Sequence, residues 1–337
     1  MEDVLSQWLL ENRPCTHLGT RVRQFLLACR TLQPGLSYSA LKRHVTPIVD
    51  ALMLGDVGRL WLRDRAFERV LRLYGQNDQR SAQWHTKRGE MITASEVYKI
   101  FSTPDARKEV MLRKLEPPST GDAGVSNPIP ALLWGTRFEP VAKRIYEETT
   151  RCTILDVSCA QHPRYSFLGA SPDGLIIPLD DDPRRYGRLV EFKCPMSRVE
   201  KPEIPIGYIH QMQMQMECTG IDECEYAEFR FKQVFSSEWI RSTAKKGVFA
   251  VFDDDTVNYK PATMDLATWQ TTVADREPQF IYWLLNSTKK AFVPKDPGWL
   301  PRHITALQTA WDEVLLHRTA GTLPPPPPPK SLPTLDI

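Results

Sequence analysis

Between Phe167 and Pro195 the chain alternates short apolar runs with turn residues, and that pattern fits a strand hairpin. Phe167 and Leu168 run into Gly169-Ala170-Ser171-Pro172-Asp173-Gly174, so Asp173 sits at a tight bend. Leu175-Ile176-Ile177-Pro178 is a strand end, and the polar stretch from Asp180 to Arg185 is the hairpin loop. Leu189-Val190-Glu191-Phe192-Lys193 then returns as a strand. Side chains alternate along a strand, which puts Glu191 and Lys193 on one face and Val190 and Phe192 on the other. The hairpin returns Glu191 to the side of Asp173.

Two carboxylates and a lysine gathered this way suit metal-assisted phosphodiester hydrolysis. Mg²⁺ prefers oxygen ligands and keeps several waters, so one or two carboxylates plus a substrate phosphate are enough to hold it. A lysine on the same face can orient the attacking water and offset charge building on the phosphoryl oxygens. Taken singly, each piece has a plainer explanation. Asp before Gly is common in turns, and a Glu/Lys pair on a strand is often a solvated ion pair.

A third element lies upstream, in Trp134-Gly135-Thr136-Arg137-Phe138-Glu139-Pro140 and the residues to Glu148. Phe138, Val141, Ala142, Ile145 and Tyr146 recur at helical spacing and predict an amphipathic helix. Pro140 fits the first turn of that helix, which puts Glu139 at its N-terminal end, where the helix dipole favours a carboxylate. In isolation Glu139 would be a capping acid.

Together these segments resemble the PD-(D/E)XK nuclease superfamily. Within it they resemble the lambda-exonuclease-like, YqaJ-type recombinase nucleases and the viral alkaline exonucleases. Trp84 to Arg88, continued by Ile92-Thr93-Ala94-Ser95, looks like the opening W-x-x-x-R…I-T-A-S motif, and Trp134-Gly135 to Glu139 looks like the W-G-x-x-x-E helix. Ser171-Pro172-Asp173-Gly174 and Glu191-Phe192-Lys193-Cys194-Pro195 look like the S-P-D-G and E-x-K-C-P core, and Tyr208 to Gln213 looks like the Y-x-x-Q-x-Q helix. The resemblance covers roughly residues 81 to 225.

The resemblance implies an α/β fold, a mixed central sheet flanked by helices, and a metal-dependent deoxyribonuclease. The implied activity is 5′→3′ resection of duplex DNA ends for recombination or viral genome processing. Asp173 and Glu191 would be metal ligands, with the Phe192 carbonyl a further one, Glu139 touching metal directly or through water, and Lys193 the catalytic lysine. Mg²⁺ is the implied cofactor, with Mn²⁺ as substitute. Arg88, Ser95 and Gln211 would bind the terminal 5′-phosphate, a sensible trio because arginine offers a planar fork of donors and the neutral groups orient without adding charge. Rival explanations stay open: Arg88 as a surface arginine, and Thr93 or Ser95 as the cap of a helix beginning near Ala94. The Gln211–Met216 run alternates like a strand, whereas the resemblance places it on a helix with Met212 and Met216 on one face and Gln211 and Gln215 on another. His85 and His210 take no assigned role. The alternatives are an endonuclease or RNase using the same site, and a catalytically silent scaffold that binds nucleic acid.

Composition agrees with a large enzyme. No apolar run reaches the ~18 residues of a membrane span, and Met1-Glu2-Asp3 opens no secretory leader, so an intracellular, soluble protein is expected, nuclear in a eukaryotic host or virus. Seven scattered cysteines fit free thiols. RecB- and Cas4-like relatives use four cysteines for an iron–sulfur cluster, but Cys218 and Cys224 lack clustered partners near the C-terminus, so no cluster is expected. Net charge is only +2, yet residues 1–100 hold 15 Lys or Arg against 10 Asp or Glu, enough for a basic face toward phosphates. Arg59 to Tyr74 is an amphipathic helix whose arginines face solvent or DNA.

The expected organisation is a helical accessory region over 1–80, with helices around Gln7–Leu10, Arg21–Leu32 and Ser39–Leu54. A nuclease core over 81–290 follows, with strands at Tyr226–Phe231 and Val248–Phe252 and a closing helix at Trp269–Asn286. Residues 291–337 would hold a helix at Ile304–His317 and an extended tail through the polyproline run Pro324–Pro329, a segment of the composition that SH3- or WW-type modules bind. DNA is the expected partner, with a single-strand annealing protein as a further one, and no membrane is. Monomers and ring trimers both occur among the proteins the chain resembles.

Overall fold

The computed structural model describes residues 2–11, 18–32, 35, 37–55, 57–58, 63–64, 68, 70, 82–116, 130–179 and 185–324. Three helices come first, α1 (Glu2–Glu11), α2 (Leu18–Leu32) and α3 (Tyr38–Leu54), packed through Leu5, Leu9, Phe25, Leu26, Leu41 and Val45. A short helix α4 (Ala82–Gly89) leads to strand β1 (Ile92–Thr93), then to α5 (Val97–Phe101) and α6 (Pro104–Leu115). The long helix α7 (Pro130–Thr150) precedes β2 (Cys152–Leu155), β3 (Ala160–Gln161), β4 (Leu168–Ala170), β5 (Gly174–Pro178) and β6 (Leu189–Lys193). Helix α8 (Ile206–Thr219) crosses to β7 (Glu223–Val234). The chain closes with α9 (Ser236–Arg241), β8 (Lys246–Val251), β9 (Val257–Tyr259), α10 (Leu266–Val273), β10 (Gln279–Pro294) and α11 (Trp299–Ala320).

The main sheet has seven strands in the order β2-β5-β6-β7-β10-β8-β9. Among the described residues only β6 and β7 of this sheet run parallel; parallel neighbours need a crossover, and α8 supplies it. Alternation along β6 sorts its side chains between two cores. Val190 and Phe192 join the cluster that includes α7, while Leu189 joins the cluster that includes Met212 and Met216 of α8. Glu191 shares Leu189's face, so it is turned toward α8. A second, three-stranded sheet, β1-β4-β3, sets Thr93 opposite Gly169 and so joins the I-T-A-S segment to the approach of Asp173. This is the mixed sheet with flanking helices that the sequence predicts.

Two expectations about helices are corrected. Helix α7 starts at Pro130, so Pro140 lies inside it and Glu139 is not at its N-terminal end. A helix-interior proline costs about 3 kcal/mol. Phe138, Val141 and Ile145 are each at most 3% exposed, and each contributes roughly 1.5–3 kcal/mol, enough to carry the helix through. The closing helix expected over Trp269–Asn286 is instead α10, a 3₁₀ turn at Ala274–Arg276 and the first half of β10. Pro278 follows that turn, and Phe280 to Leu285 pair with β8 and β7, burying Ile281 and Trp283.

Helix α11 extends beyond the expected Ile304–His317 at both ends and buries Leu307, Ala310, Trp311 and Val314 against α5, α6 and α8. Most of the Arg59–Tyr74 helix, the loop at 180–184 and the polyproline run past Pro324 lie outside the described residues. Arg63, assigned to a solvent or DNA face, is instead 2% exposed and ion-paired with Asp222 at 3.2 Å and Glu223 at 2.5 Å. Among the described residues no helix is long and apolar enough to cross a membrane.

Candidate active site

The β5–β6 pairing sets Gly174 opposite Val190, so the residues just outside it, Asp173 and Glu191, are neighbours. Asp173 accepts a bond from the Phe192 backbone N–H at 2.7 Å. Glu191, 1% exposed, is bound by the Lys193 ammonium, by Gln211 at 2.5 Å on one oxygen and by Gln215 at 2.6 Å on the other. Gly174 is favoured for a packing reason. A Cβ there would overlap the Ile154 side chain and stand 3.0 Å from the Leu155 carbonyl, both on β2. The bend at Asp173 therefore presses directly on the neighbouring strand.

Burial, then the charges of Glu191 and Glu139, push the Asp173 carboxyl well above the usual carboxylate range. Burial alone would depress the Lys193 ammonium, but Glu191 and Asp173 outweigh it and hold its pKa up. Lys193 also lies 4.7 Å from the centre of the Tyr208 ring. Cys194 beside it is buried, and burial with the nearby acids raises its thiol far enough to keep it protonated. It packs as part of the α7-side core.

A cleft of about 400 Å³ opens beside Lys193, lined by Glu139, Lys193, Arg198, Tyr208, Thr136 and Ser197 among others. Glu139 thus faces the same space as Lys193, from α7. Among the described residues no three His, Cys, Asp or Glu side chains close around one point. What fits a hard divalent cation is the donor set, carboxylate oxygens of Asp173 and Glu191, with burial first and then the neighbouring acids raising the Asp173 carboxyl despite Lys193.

The second predicted group is split. Arg88 donates to Ser95 at 3.3 Å and lies 4.4 Å over the Trp84 ring. Trp84 in turn donates to Ser171 at 2.9 Å, tying this pocket to the bend at Asp173. Gln211, expected beside Arg88 and Ser95, donates to Glu191 instead. Helix α8 explains why: Gln211 and Gln215 are one turn apart and present both amides to the same carboxylate. Gln213 points the other way, bonding the Pro294 carbonyl and the Asp296 N–H. Gln215 is the functional candidate that sequence reasoning passed over, although its i+4 spacing from Gln211 was the available signal. Glu96 and Lys114 were passed over as well. They form a buried pair at 2.8 Å, with Glu96 also accepting from the Thr93 hydroxyl at 2.7 Å.

Two acids and a lysine at the paired ends of β5 and β6, with an acid on a long helix lining the same cleft as the lysine, make up the candidate site. Residues 83–222 match the family model of the YqaJ-like viral recombinase domain. An uncharacterised protein of Acanthamoeba polyphaga mimivirus is 26% identical over 179 residues, covering 50% of this chain and 32% of that protein. The match thus spans about a third of that relative's length. Among solved structures, an alkaline exonuclease from Laribacter hongkongensis is similar at 21% identity over 71% of this chain and 97% of that one, with a TM-score of 0.42. A phage related exonuclease from Haemophilus somnus is similar at 12% identity over 67% of this chain and 96% of that one, with a TM-score of 0.39.

Proposed function

We propose that this chain is a divalent-metal-dependent deoxyribonuclease that degrades one strand of duplex DNA from its 5′ end, supplying single strands for recombination or viral genome processing. The observation that carries this reading is the convergence of Asp173, Glu191 and Lys193, with Glu139 across the cleft. Asp173 and Glu191 would hold Mg²⁺ or Mn²⁺, with the Phe192 carbonyl and Glu139 contributing directly or through water. When bound, the cation supplies Lewis acidity to the scissile phosphate. Lys193, kept protonated by its two acids, acts as a donor toward water and phosphoryl oxygens rather than as a base. Gln211 and Gln215 orient Glu191, and Arg88 with Ser95 receives the terminal 5′-phosphate through a guanidinium fork and a hydroxyl.

End-labelled linear duplexes, 5′-phosphorylated or 5′-hydroxyl, incubated with Mg²⁺ test the reading. Lys193→Ala is expected to abolish cleavage while DNA binding persists, and Arg88→Ala to erase the preference for phosphorylated ends. Closed circular DNA is expected to survive. Its cleavage would make the enzyme an endonuclease, and degradation of RNA would move the substrate class. Binding without turnover in either Mg²⁺ or Mn²⁺ would leave a scaffold. A single-strand annealing protein is the partner class that the products call for.

A further inference from the structure

Helix α4 ends at Gly89 and α6 at Leu115, and carbonyls in a helix's last turn have no partner within the helix. Two cations supply those partners. Lys114, 4% exposed, donates to the Arg88 carbonyl at 2.7 Å while paired with buried Glu96. Arg318, on the exposed side of α11, directs one guanidinium nitrogen to the Gly89 carbonyl at 2.7 Å and the Lys114 carbonyl at 2.6 Å. Its guanidinium also lies 5.3 Å over Trp311, which is buried among α5 and α6 residues. Cations at helix C-termini are favoured by the dipole, and bonds from a charged donor exceed neutral ones in strength. The Arg88 side chain is steered separately, by Trp84 beneath it and Ser95 ahead of it. Its backbone is held by Lys114 directly and by Arg318 one residue on.

We infer that Arg318 is a positioning residue for the 5′-phosphate pocket: by tying α4 and α6 to α11 it holds Arg88 within reach of the terminal phosphate and so sets the discrimination between phosphorylated and hydroxyl ends. The inference rests on the proposed role of Arg88. A displacement of about 1 Å in a positioning group can cost on the order of a hundredfold, so a backbone tether matters as much as the side chain it aims. Arg318 lies outside residues 83–222, so the pocket of the matched domain is completed by a helix beyond it.

The test measures kcat and KM on one linear duplex with 5′-phosphoryl or 5′-hydroxyl ends for wild type, Arg88→Ala, Arg318→Met, Arg318→Lys and Arg107→Gln. Arg107 pairs with Glu313 of α11 at 2.7 Å, linking α6 to α11 without touching α4, so its variant isolates helix docking. Arg318→Met is expected to lower the phosphoryl-over-hydroxyl ratio of kcat/KM about tenfold, mainly by raising KM for the phosphorylated end. Arg318→Lys restores most of it, since a single nitrogen makes both bonds, and Arg107→Gln leaves the ratio at the wild-type value. Equal losses on both ends in Arg318→Met, or an equal fall in the ratio in Arg107→Gln, would show that Arg318 only docks the helix and would overturn the inference. A ratio unchanged in Arg318→Met but lost in Arg88→Ala overturns it while leaving Arg88's role intact. A ratio unchanged in Arg88→Ala overturns both.

Discussion

Replacing Asp173 by Asn should stabilise the metal-free protein even as it destroys activity. Asparagine keeps the shape and still accepts from the Phe192 N–H, so the bend survives. It removes a charge crowded by Glu191 and Glu139 in a half-buried position. Unit charges a few ångströms apart repel by about 3–4 kcal/mol at an effective dielectric near 20, and Lys193 cancels part of this, leaving a gain of about 2 kcal/mol. For a chain of 337 residues, with an unfolding entropy of about 2.1 cal/mol/K per residue, that is about 3 °C in Tm. The sign follows from linkage. A carboxyl whose folded pKa is raised destabilises increasingly as pH rises from its unfolded value of about 3.9, and fully above the folded one. The gain in the variant is therefore largest at pH 8 and shrinks toward pH 4. Thermal scans in EDTA at several pH values measure it, and repeating them in millimolar Mg²⁺ should reverse the order, because only wild type retains both carboxylates for the cation. If Asp173→Asn melts below wild type in EDTA at pH 8, the picture of an uncompensated acidic site is wrong.

Other perturbations probe the supports of the site. Gly174→Ala is expected to cost about 1–3 kcal/mol, or more, because its methyl overlaps Ile154 and approaches the Leu155 carbonyl; denaturant melts with an unchanged midpoint would refute the packing argument. Gln215→Leu removes one of the donors on buried Glu191 and should cost about 1–3 kcal/mol together with a higher Mg²⁺ requirement, checked by titrating activity against metal. Lys114→Met strands Glu96 in the interior, at about 3–5 kcal/mol by the same melts. Although burial opposes it, Lys114 and Thr93 hold Glu96 below the usual carboxylate range. Its stabilisation is thus present above about pH 4.3 and lost as pH falls through the folded value, so the Lys114 variant should show a blunted acid transition.

Much of this molecule is readable from short-range pattern. The α7 stripe of Phe138, Val141, Ala142, Ile145 and Tyr146 is buried as its spacing implies, and the alternation of β6 sorts Val190 and Phe192 from Glu191. Errors fall where local pattern is ambiguous or overridden. Pro140 looked like a helix start because nothing nearby announces that burial on the far side will carry the helix through it. Trp269 to Asn286 looked helical because its apolar residues are dense, but Pro278 and pairing with β7 and β8 divide it.

The sequence by itself determined the chemical make-up of the candidate site, since Asp173, Glu191 and Lys193 are brought together by one hairpin whose faces follow from side-chain alternation. Only the tertiary structure decided how that chemistry is supported. Gln211 and Gln215 reach Glu191 because α8 crosses the sheet, and Arg318 meets the Lys114 carbonyl across 204 positions of chain. Periodicity reports on neighbours a few residues apart and on which face is buried. It carries no information about which distant polar atom meets which, because that depends on how whole layers settle against one another.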